Sequence, residues 1–306
     1  MHKLLSGVFD NNQIKSIAAQ ARPVDYVTAA YQLIMIVTII FYYTEIPFAG
    51  FFITFHLLVL GFLYWLVLSE NNRIARAIHP WNPLIIIPLN FSQLHYLVHP
   101  INPVDWDDAL IHLDYTLFGV HPTVWLESWS TPWLTEYFQI IYTTFYFLPL
   151  VLAIILFRRD DIRNFNYFVF IISFGFYVSY LGYFMVPALG PRFTLQELQT
   201  EPLLGLWITE GIRDTLNWME NIQRDAFPSG HTEITVLTMI YTWKFSKPYF
   251  WVLLIVGSSL LISTVYLRYH YVVDVFAGVW LALFVLATAP TIFASILRHK
   301  ESKQSS

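Results

Sequence analysis

Eight long runs of apolar residues limit the fold of this sequence more than any other feature. Each is long enough for a helix that crosses the hydrocarbon core of a bilayer, which takes roughly 17–25 residues. Backbone N–H and C=O groups find no water in that layer, so such runs must satisfy them internally as helices. The runs lie near residues 25–44, 48–69, 81–99, 132–157, 164–187, 229–245, 248–267 and 271–296. The sequence therefore predicts an all-α, polytopic transmembrane helix bundle with about eight spanning helices.

The third run differs from the others because Pro83, Pro88 and Asn90 interrupt it. Proline inside a helix removes a backbone hydrogen bond and clashes with the preceding turn. This run therefore either spans the membrane or re-enters it. A six-helix core with two additional N-terminal helices is the minimal prediction.

The distribution of positive charge sets the orientation of these helices. With a cytoplasmic N-terminus, all but four of the 17 Lys and Arg residues fall inside, and the outside holds Arg192, Arg213, Arg224 and Arg268. This bias is the one that membrane proteins show towards the cytoplasm. The predicted division is a cytoplasmic segment 1–24, a single transmembrane domain 25–297 and a cytoplasmic tail 298–306. Residues 188–228 and the turn 268–270 then lie outside together.

Composition excludes several classes of function. Charged residues make up 12% of the chain, about half the share of a soluble domain. The net charge of -4 gives no reason to expect that the protein binds nucleic acid. The chain has no Cys, which excludes disulfides, thiolate metal sites and Cys nucleophiles. The first twenty residues lack the apolar stretch of a cleaved signal peptide. These features suit a multi-pass protein of a bacterial inner membrane.

Two long outside loops accompany the helices. Residues 100–131 mix Asp and Trp and resemble an amphipathic segment that lies on the membrane. We expect its acidic stretch, 105–114, to be a solvated face, with recognition of a polyol head group as the alternative. Residues 193–226 alternate polar and apolar side chains and are predicted to form short interfacial helices that cover a site.

Two outside segments carry groups that suit an anion. In Pro187–Arg192, the prolines and Gly190 turn the chain and deliver Arg192 at the membrane surface, where a guanidinium can hold a phosphate with two hydrogen bonds. In the segment 227–232, Pro and Ser229 open a helix and Gly230 lets a ligand approach the backbone. The free N–H groups at such a helix start bind oxyanions. His231 lies in the first turn, within reach of that anion.

A third segment, 268–274, supplies a candidate nucleophile. His270 and Asp274 are four residues apart, so on a helix they share one face. A carboxylate bonded to one ring nitrogen fixes the tautomer and frees the other nitrogen to attack. Arg268 stands two residues before His270. Together, the three segments supply the parts that phosphoryl transfer needs, since positioning and electrostatics stabilise its transition state.

These motifs resemble those of the phosphatidic acid phosphatase type 2 superfamily. The resemblance covers roughly residues 130–297 and rests on FPSGH at 227–231, YLRYHYVVD at 266–274 and, more loosely, GPR at 190–192. It implies a membrane lipid phosphatase or phosphotransferase with a six-helix core. It also implies that His270 attacks phosphorus to form a phosphohistidine, with Asp274 as its partner, and that His231 protonates the leaving oxygen. The family needs no metal or cofactor.

The sequence departs from the family pattern at three points. Met185 stands where the first motif has Lys, Pro191 precedes Arg192 instead of following it, and Thr264 replaces an Arg of the third motif. This pattern is similar to the branch that contains inositol phosphorylceramide synthases, whose third motif also lacks that Arg. It favours a phosphotransferase that uses a lipid donor and a hydroxyl acceptor.

Two readings without catalysis also remain at this point. In a lipid transporter, intramembrane polar groups such as Glu233, His56 and Asn90 would line a path. In an inactive partner subunit, the missing Lys and Arg would reflect lost chemistry. The leading prediction is an enzyme that acts on a phospholipid or polyprenyl phosphate, with His270, His231 and Asp274 as catalytic residues. Phosphate binding is assigned to Arg192, Ser229, Gly230 and Arg268.

Overall fold

The structure, a computed structural model, describes residues 20–69, 71–220 and 223–304. Most of the predicted cytoplasmic segment 1–24 lies outside the described residues, and so does the end of the predicted tail, residues 305 and 306. The predictions for those parts of the chain stay predictions.

The described residues fold into helices joined by turns and short loops, which confirms the all-α class. In chain order they are α1 (Pro23–Phe41), α2 (Ala49–Leu68), α3 (Arg73–Ile78), α4 (Pro83–Ile101), α5 (Asp107–Phe118), α6 (Pro122–Trp125), α7 (Pro132–Thr143), α8 (Phe147–Arg158), α9 (Ile162–Met185), α10 (Pro191–Thr194), α11 (Thr209–Glu220), α12 (Gly230–Phe245), α13 (Lys247–Tyr266) and α14 (Val272–Gln304). Short 3-10 turns precede α4, follow α6 and α10, and join α7 to α8.

All eight predicted runs are helical, and within the described residues six stretches are long and apolar enough to cross a membrane. These six are α1, α2, α7 with α8, α9, α13 and α14. Two runs fall short for different reasons: α12 has only 16 residues, and α4 carries polar side chains such as Asn90, Gln93 and His95. Pro88 does not interrupt α4, which continues through it. The crossing of the membrane by α4 and α12 therefore stays a prediction.

Helix α9 is the centre of the bundle, with α1, α4, α8, α12 and α14 packed around it. Its 24 residues give a length of about 36 Å, enough to cross a hydrocarbon core of about 30 Å. Buried aromatic side chains, including Phe168, Phe170 and Tyr180, fill the space between these helices. The C-terminal end of α9 thereby lies beside the N-terminal end of α12 and the turn between α13 and α14.

Candidate active site

Three loops meet at one end of the bundle: the segment after α9, the segment before α12 and the turn between α13 and α14. Backbone hydrogen bonds join these loops in pairs. Arg192 N donates to Arg268 O at 2.9 Å, and Ala226 N donates to Ala188 O at 3.2 Å. Ser229 N donates to Asp274 O at 3.2 Å. The three segments predicted from the sequence therefore meet at one site, although Arg192 and Arg268 are 76 residues apart along the chain.

The His270 ring is held by the main chain of the neighbouring loop. Its Nδ1 lies 2.7 Å from the carbonyl oxygen of Ala226, so Nδ1–H donates to that carbonyl. The carboxylate of Asp274, the predicted partner, lies farther away, at 3.4 Å from Nδ1. An Nδ1–H bond leaves Nε2 with its lone pair, which is the state that a nucleophile needs.

Asp274 is buried at the start of α14 and braces the turn that carries His270. Its Oδ2 accepts a hydrogen bond from the backbone N–H of Tyr271 at 2.8 Å. A carboxylate in the first turn of a helix also suits the positive end of the helix dipole. Asp274 therefore fixes the backbone next to His270 and adds a second, longer contact to the ring.

His231 faces His270, the predicted nucleophile, from the first turn of α12. Its Nδ1 lies 3.5 Å from His270 Nε2, and the two ring centroids are 5.6 Å apart. Tyr142 and Phe145 pack against the imidazole at centroid distances of 4.7 and 4.3 Å. Its Nε2 has no hydrogen-bond partner among the described residues. The two histidines are therefore close enough to contact one phosphoryl group, and their predicted roles stay predictions.

Arg192 reaches the same site through stacking on aromatic rings. Its guanidinium lies over Phe193 at 4.5 Å and over Tyr269, the neighbour of His270, at 5.0 Å. A stacked guanidinium keeps its N–H groups in the plane of the fork for a bidentate contact with phosphate. The structure therefore places the predicted cation beside the predicted nucleophile.

Ser229 and Gly230 shape the start of α12. The Ser229 hydroxyl oxygen accepts from Thr232 N at 3.2 Å and caps the helix. A hydroxyl that accepts one hydrogen bond can still donate its own proton, so the phosphate contact of Ser229 stays a prediction. At Gly230, a Cβ would lie 2.6 Å from the Tyr183 hydroxyl oxygen. A larger residue would have to displace the Tyr183 side chain, whereas glycine keeps the backbone N–H groups at the start of the helix open to an anion.

The Arg268 guanidinium makes its contacts away from His231 and His270. Its guanidinium forms an ion pair with Glu127 at 2.8 Å and donates to the Glu201 carbonyl at 2.6 Å. Its backbone has φ of 66°, a conformation that bulky residues rarely adopt. These contacts favour a structural role that ties the loops together over the phosphate contact predicted from the sequence.

Asp107 is a site residue that the sequence did not reveal. It is buried, and its carboxylate accepts from Leu189 N and Gly190 N at 2.9 Å each and from the Tyr271 hydroxyl at 2.7 Å. It thereby joins the loop that carries Arg192 to the turn that carries His270. The prediction of a solvated acidic face was wrong for this residue.

Asp114 corrects the same prediction at a second position. Its two oxygens accept from Val272 N at 3.0 Å and Val273 N at 2.9 Å, so the carboxylate caps the start of α14. Burial raises the pKa of Asp114, and the two backbone N–H groups oppose that rise. Its spacing of seven residues from Asp107 puts both on one face of α5, a pattern that could have signalled their common burial.

Asp225 is the other acidic group beside the reactive histidines. It precedes the carbonyl that holds His270 and lies at the same end of the bundle as Gly230 and His231. Burial raises its pKa, while His270 and Arg192 draw it down. Beside a phosphate, a raised pKa favours the protonated form of the Asp225 carboxyl group, and its O–H can donate a hydrogen bond where a second anion would repel the phosphate.

An apolar cleft leads away from this site between α4 and α8, which both pack against α9. Its volume is about 280 Å³. Side chains of all three helices line it, and these include Leu84, Ile87, Phe91, Tyr146, Ala153, Phe168, Ile172, Phe176 and Tyr180. His231, Gly230 and Asp225 line one end of it, and Pro80 and Trp81 line the other. Leu84 and Tyr146 are exposed, so the cleft opens on the outer surface of the bundle.

The environment of His270 predicts an unusual titration. Burial lowers its pKa from 6.5 to about 4, with Asp225 and the Ala226 carbonyl opposing the shift and Arg192 adding to it. The ring should therefore stay neutral and nucleophilic down to about pH 4. Its contribution to stability should be full above pH 6.5 and lost as pH falls towards 4, because the unfolded chain binds the proton first.

Carbon-13 NMR of labelled histidine in detergent can follow this titration, with the signal assigned by its loss in His270→Gln. We expect a midpoint near pH 4. A midpoint near 6.5 would show that the ring is hydrated and would contradict the buried geometry. The measurement needs no substrate, so the titration of a phosphate ester cannot obscure it.

A comparison with protein families gives an independent result. The family model described as the PAP2 superfamily matches residues 108–288. The matched region begins in α5, just after Asp107, and includes His231, His270 and Asp274. It spans more than half of the chain. Searches of curated proteins and of solved structures gave no match.

Proposed function

This chain belongs to the PAP2 superfamily, and from that premise we propose that it is an integral membrane enzyme that removes or transfers the phosphoryl head group of a lipid. The observation that carries the proposal is the position of the His270–His231 pair at the end of an apolar cleft. A soluble phosphate ester has no use for such a cleft. A lipid phosphate combines the two chemistries that meet there.

The geometry supports a two-step reaction. His270 Nε2 attacks phosphorus, the bond from phosphorus to the leaving oxygen breaks, and His231 donates a proton to that oxygen. A hydroxyl compound then attacks the phosphohistidine, His231 takes its proton and the N–P bond breaks. Arg192 and the N–H groups at the start of α12 offset the charge on the phosphoryl oxygens.

The bias of positive charge supports an extracytoplasmic position for this chemistry. In the described residues, Arg158, Arg159 and Arg163 lie at the turn between α8 and α9, at the opposite end of α9 from His270. The proposed enzyme therefore meets lipids of the outer leaflet of its membrane.

The experiment that tests this function offers the purified protein phosphatidic acid, a polyprenyl diphosphate and phosphatidylinositol separately. Phosphate release and new lipid products are followed with and without an added alcohol. Phosphate release in water alone identifies a lipid phosphatase, and a new phospholipid that forms only with the alcohol identifies a transferase. No turnover with any of the three donors, together with no labelled phosphohistidine, would contradict the proposal.

A head-group transferase, as in the inositol phosphorylceramide synthase-like branch, is the second candidate, and the segment over the site favours it. We call residues 196–209 the covering segment. Its Leu203 packs in one apolar cluster with Tyr142 and Tyr269, the rings that flank His231 and Arg192. A transferase must keep water from the phosphoenzyme until its acceptor binds, and a packed segment can do this.

Glu136 fixes the covering segment and gives a test of its role. The buried carboxylate accepts from Leu206 N at 2.8 Å, Trp207 N at 3.2 Å, Ile208 N at 2.9 Å and the Thr209 hydroxyl at 2.6 Å. Glu136→Ala should release the segment and raise hydrolysis several-fold relative to transfer, because water then reaches the phosphohistidine. The ratio of free phosphate to new phospholipid measures this.

Glu210→Ala is the matched control, since Glu210 is exposed one residue beyond the anchored segment. It should leave the product ratio unchanged. An equal ratio in Glu136→Ala and the native protein would show that the covering segment does not exclude water.

A further inference from the structure

We propose that the apolar cleft holds the hydrocarbon chain of the lipid substrate and that Trp81, at its far end, limits the length of that chain. The inference rests on the proposed function, because the chain is taken to belong to the molecule whose phosphate meets His270. It adds what that function leaves open, which is the class of lipid.

Continuity with the reactive histidines identifies the occupant. The cleft and the catalytic cluster share His231, Gly230 and Asp225 as lining residues. A phosphate held between His231 and Arg192 therefore has its carbon chain at the mouth of the cleft. Apart from the buried hydroxyl of Ser173, the other lining side chains are proline, aliphatic or aromatic, so a chain meets mainly dispersion contacts along the cleft.

The length of the cleft sets the length of the hydrocarbon chain that can fill it. Along α9, its lining residues run from Phe168 to Tyr183, a rise of about 22 Å at 1.5 Å per residue. One leaflet accounts for about 15 Å of a hydrocarbon core of about 30 Å. A chain that fills the cleft therefore extends past the bilayer midplane. In a fluid bilayer the chains of ordinary phospholipids end near the midplane, so a chain that fills the cleft is either longer, as in polyprenyl lipids, or held fully extended.

The far end is closed by a braced indole. Trp81 meets Phe157 and Phe165 edge to face, at centroid distances of 5.2 and 5.1 Å. Pro80 precedes it and also lines the cleft. Edge-to-face aromatic contacts fix ring positions, so a longer chain cannot push this side chain aside without breaking them.

The fit of the hydrocarbon chain in the cleft must dominate the choice of lipid substrate. A lipid that moves from the bilayer into the cleft gains little from the hydrophobic effect, because its chain is already among apolar neighbours. Contacts along the cleft and the obstacle at Trp81 are then what distinguishes one chain length from another. The rate should rise with chain length until the end of the chain meets the indole, and fall beyond it.

Two substitutions should move this optimum in opposite directions. Trp81→Ala removes the obstacle, so the chain length with the highest kcat/KM should increase by several carbon atoms. Ala153→Phe fills the middle of the cleft from α8, so the optimum should decrease. Trp280→Ala is the matched control, because Trp280 is 74% exposed on α14 and lies outside the cleft; its profile should match that of the native protein. Alkyl and prenyl monophosphates of increasing length, assayed separately, provide the profile.

A labelling experiment separates this inference from the proposed function. Alkyl and prenyl phosphonates with a terminal diazirine cannot be hydrolysed, and mass spectrometry locates the labelled residue. We expect the longest probes to label Trp81 or Pro80 and shorter ones to label Ala153 or Ile172. Labelling that falls on the outer helix faces at every length would overturn the chain site even if turnover is found. Length-dependent labelling in a protein without turnover would retain the chain site and overturn the enzyme.

Discussion

Replacing His270 with alanine should reduce turnover of the best lipid donor by on the order of 10^4-fold or more, because it removes the atom that bonds to phosphorus. The change should not unfold the protein, since the ring makes one short hydrogen bond, to the Ala226 carbonyl, and its contacts with Asp274 and His231 are longer. Phosphate release measures the rate, and a donor labelled with phosphorus-32 shows whether a phosphoenzyme forms. The native protein should carry an acid-labile label that His270→Ala lacks.

The matched control is His112→Ala, which removes an exposed histidine from α5 and should keep native activity. His231→Ala should lose roughly 10^2–10^4-fold, and less with a donor such as p-nitrophenyl phosphate, whose leaving group needs no proton. Retained turnover or a retained label in His270→Ala would refute the phosphohistidine mechanism.

Replacing Asp107 with alanine should lower the free energy of unfolding by about 3–5 kcal/mol, the lower part of the range expected for three donors left unpaired. The substitution leaves three donors, Leu189 N, Gly190 N and the Tyr271 hydroxyl, without their acceptor, and each buried unpaired donor costs about 1–3 kcal/mol. Activity should fall with stability, because these donors position Arg192 and His270. Chemical denaturation in detergent measures the first effect, and phosphate release measures the second.

Asp108 offers a control in the adjacent position. Its side chain is exposed, so Asp108→Ala should change the free energy of unfolding by less than about 0.5 kcal/mol. Asp107→Asn should fall between the two, since the amide keeps one acceptor oxygen. Equal stability of the two alanine variants would mean that the carboxylate of Asp107 does not hold the loops.

The fold could be predicted because it depends on a local property of the sequence. A run of apolar residues forms a helix in lipid whatever lies elsewhere in the chain, and the predicted runs lie within a few residues of the observed helices. The count was less secure where helices are short or polar. Helix α12 has few residues because Ser229 caps its start and Ser246 ends it directly before α13, and α4 keeps polar groups that composition alone cannot place.

That His231, His270 and Asp274 lie together was also predictable, because they belong to short motifs whose spacing is visible in the sequence. The groups that hold these side chains in place were not predictable from the sequence. The carbonyl that orients His270 belongs to Ala226, 44 residues away, and a carbonyl has no signature in the sequence. Arg268 shows what spacing alone leaves out: its position suggested a phosphate ligand, and no pattern in the sequence indicated the ion pair with Glu127.

The open side of the apolar cleft has a consequence for kinetics. Because Leu84 and Tyr146 expose it to the surroundings of the bundle, a lipid in the bilayer can enter sideways without passing through water. Encounters between enzyme and substrate then take place in two dimensions. The rate should follow the mole fraction of the lipid within the membrane, so diluting the whole suspension should leave it unchanged, whereas adding inert lipid to the same vesicles should slow it.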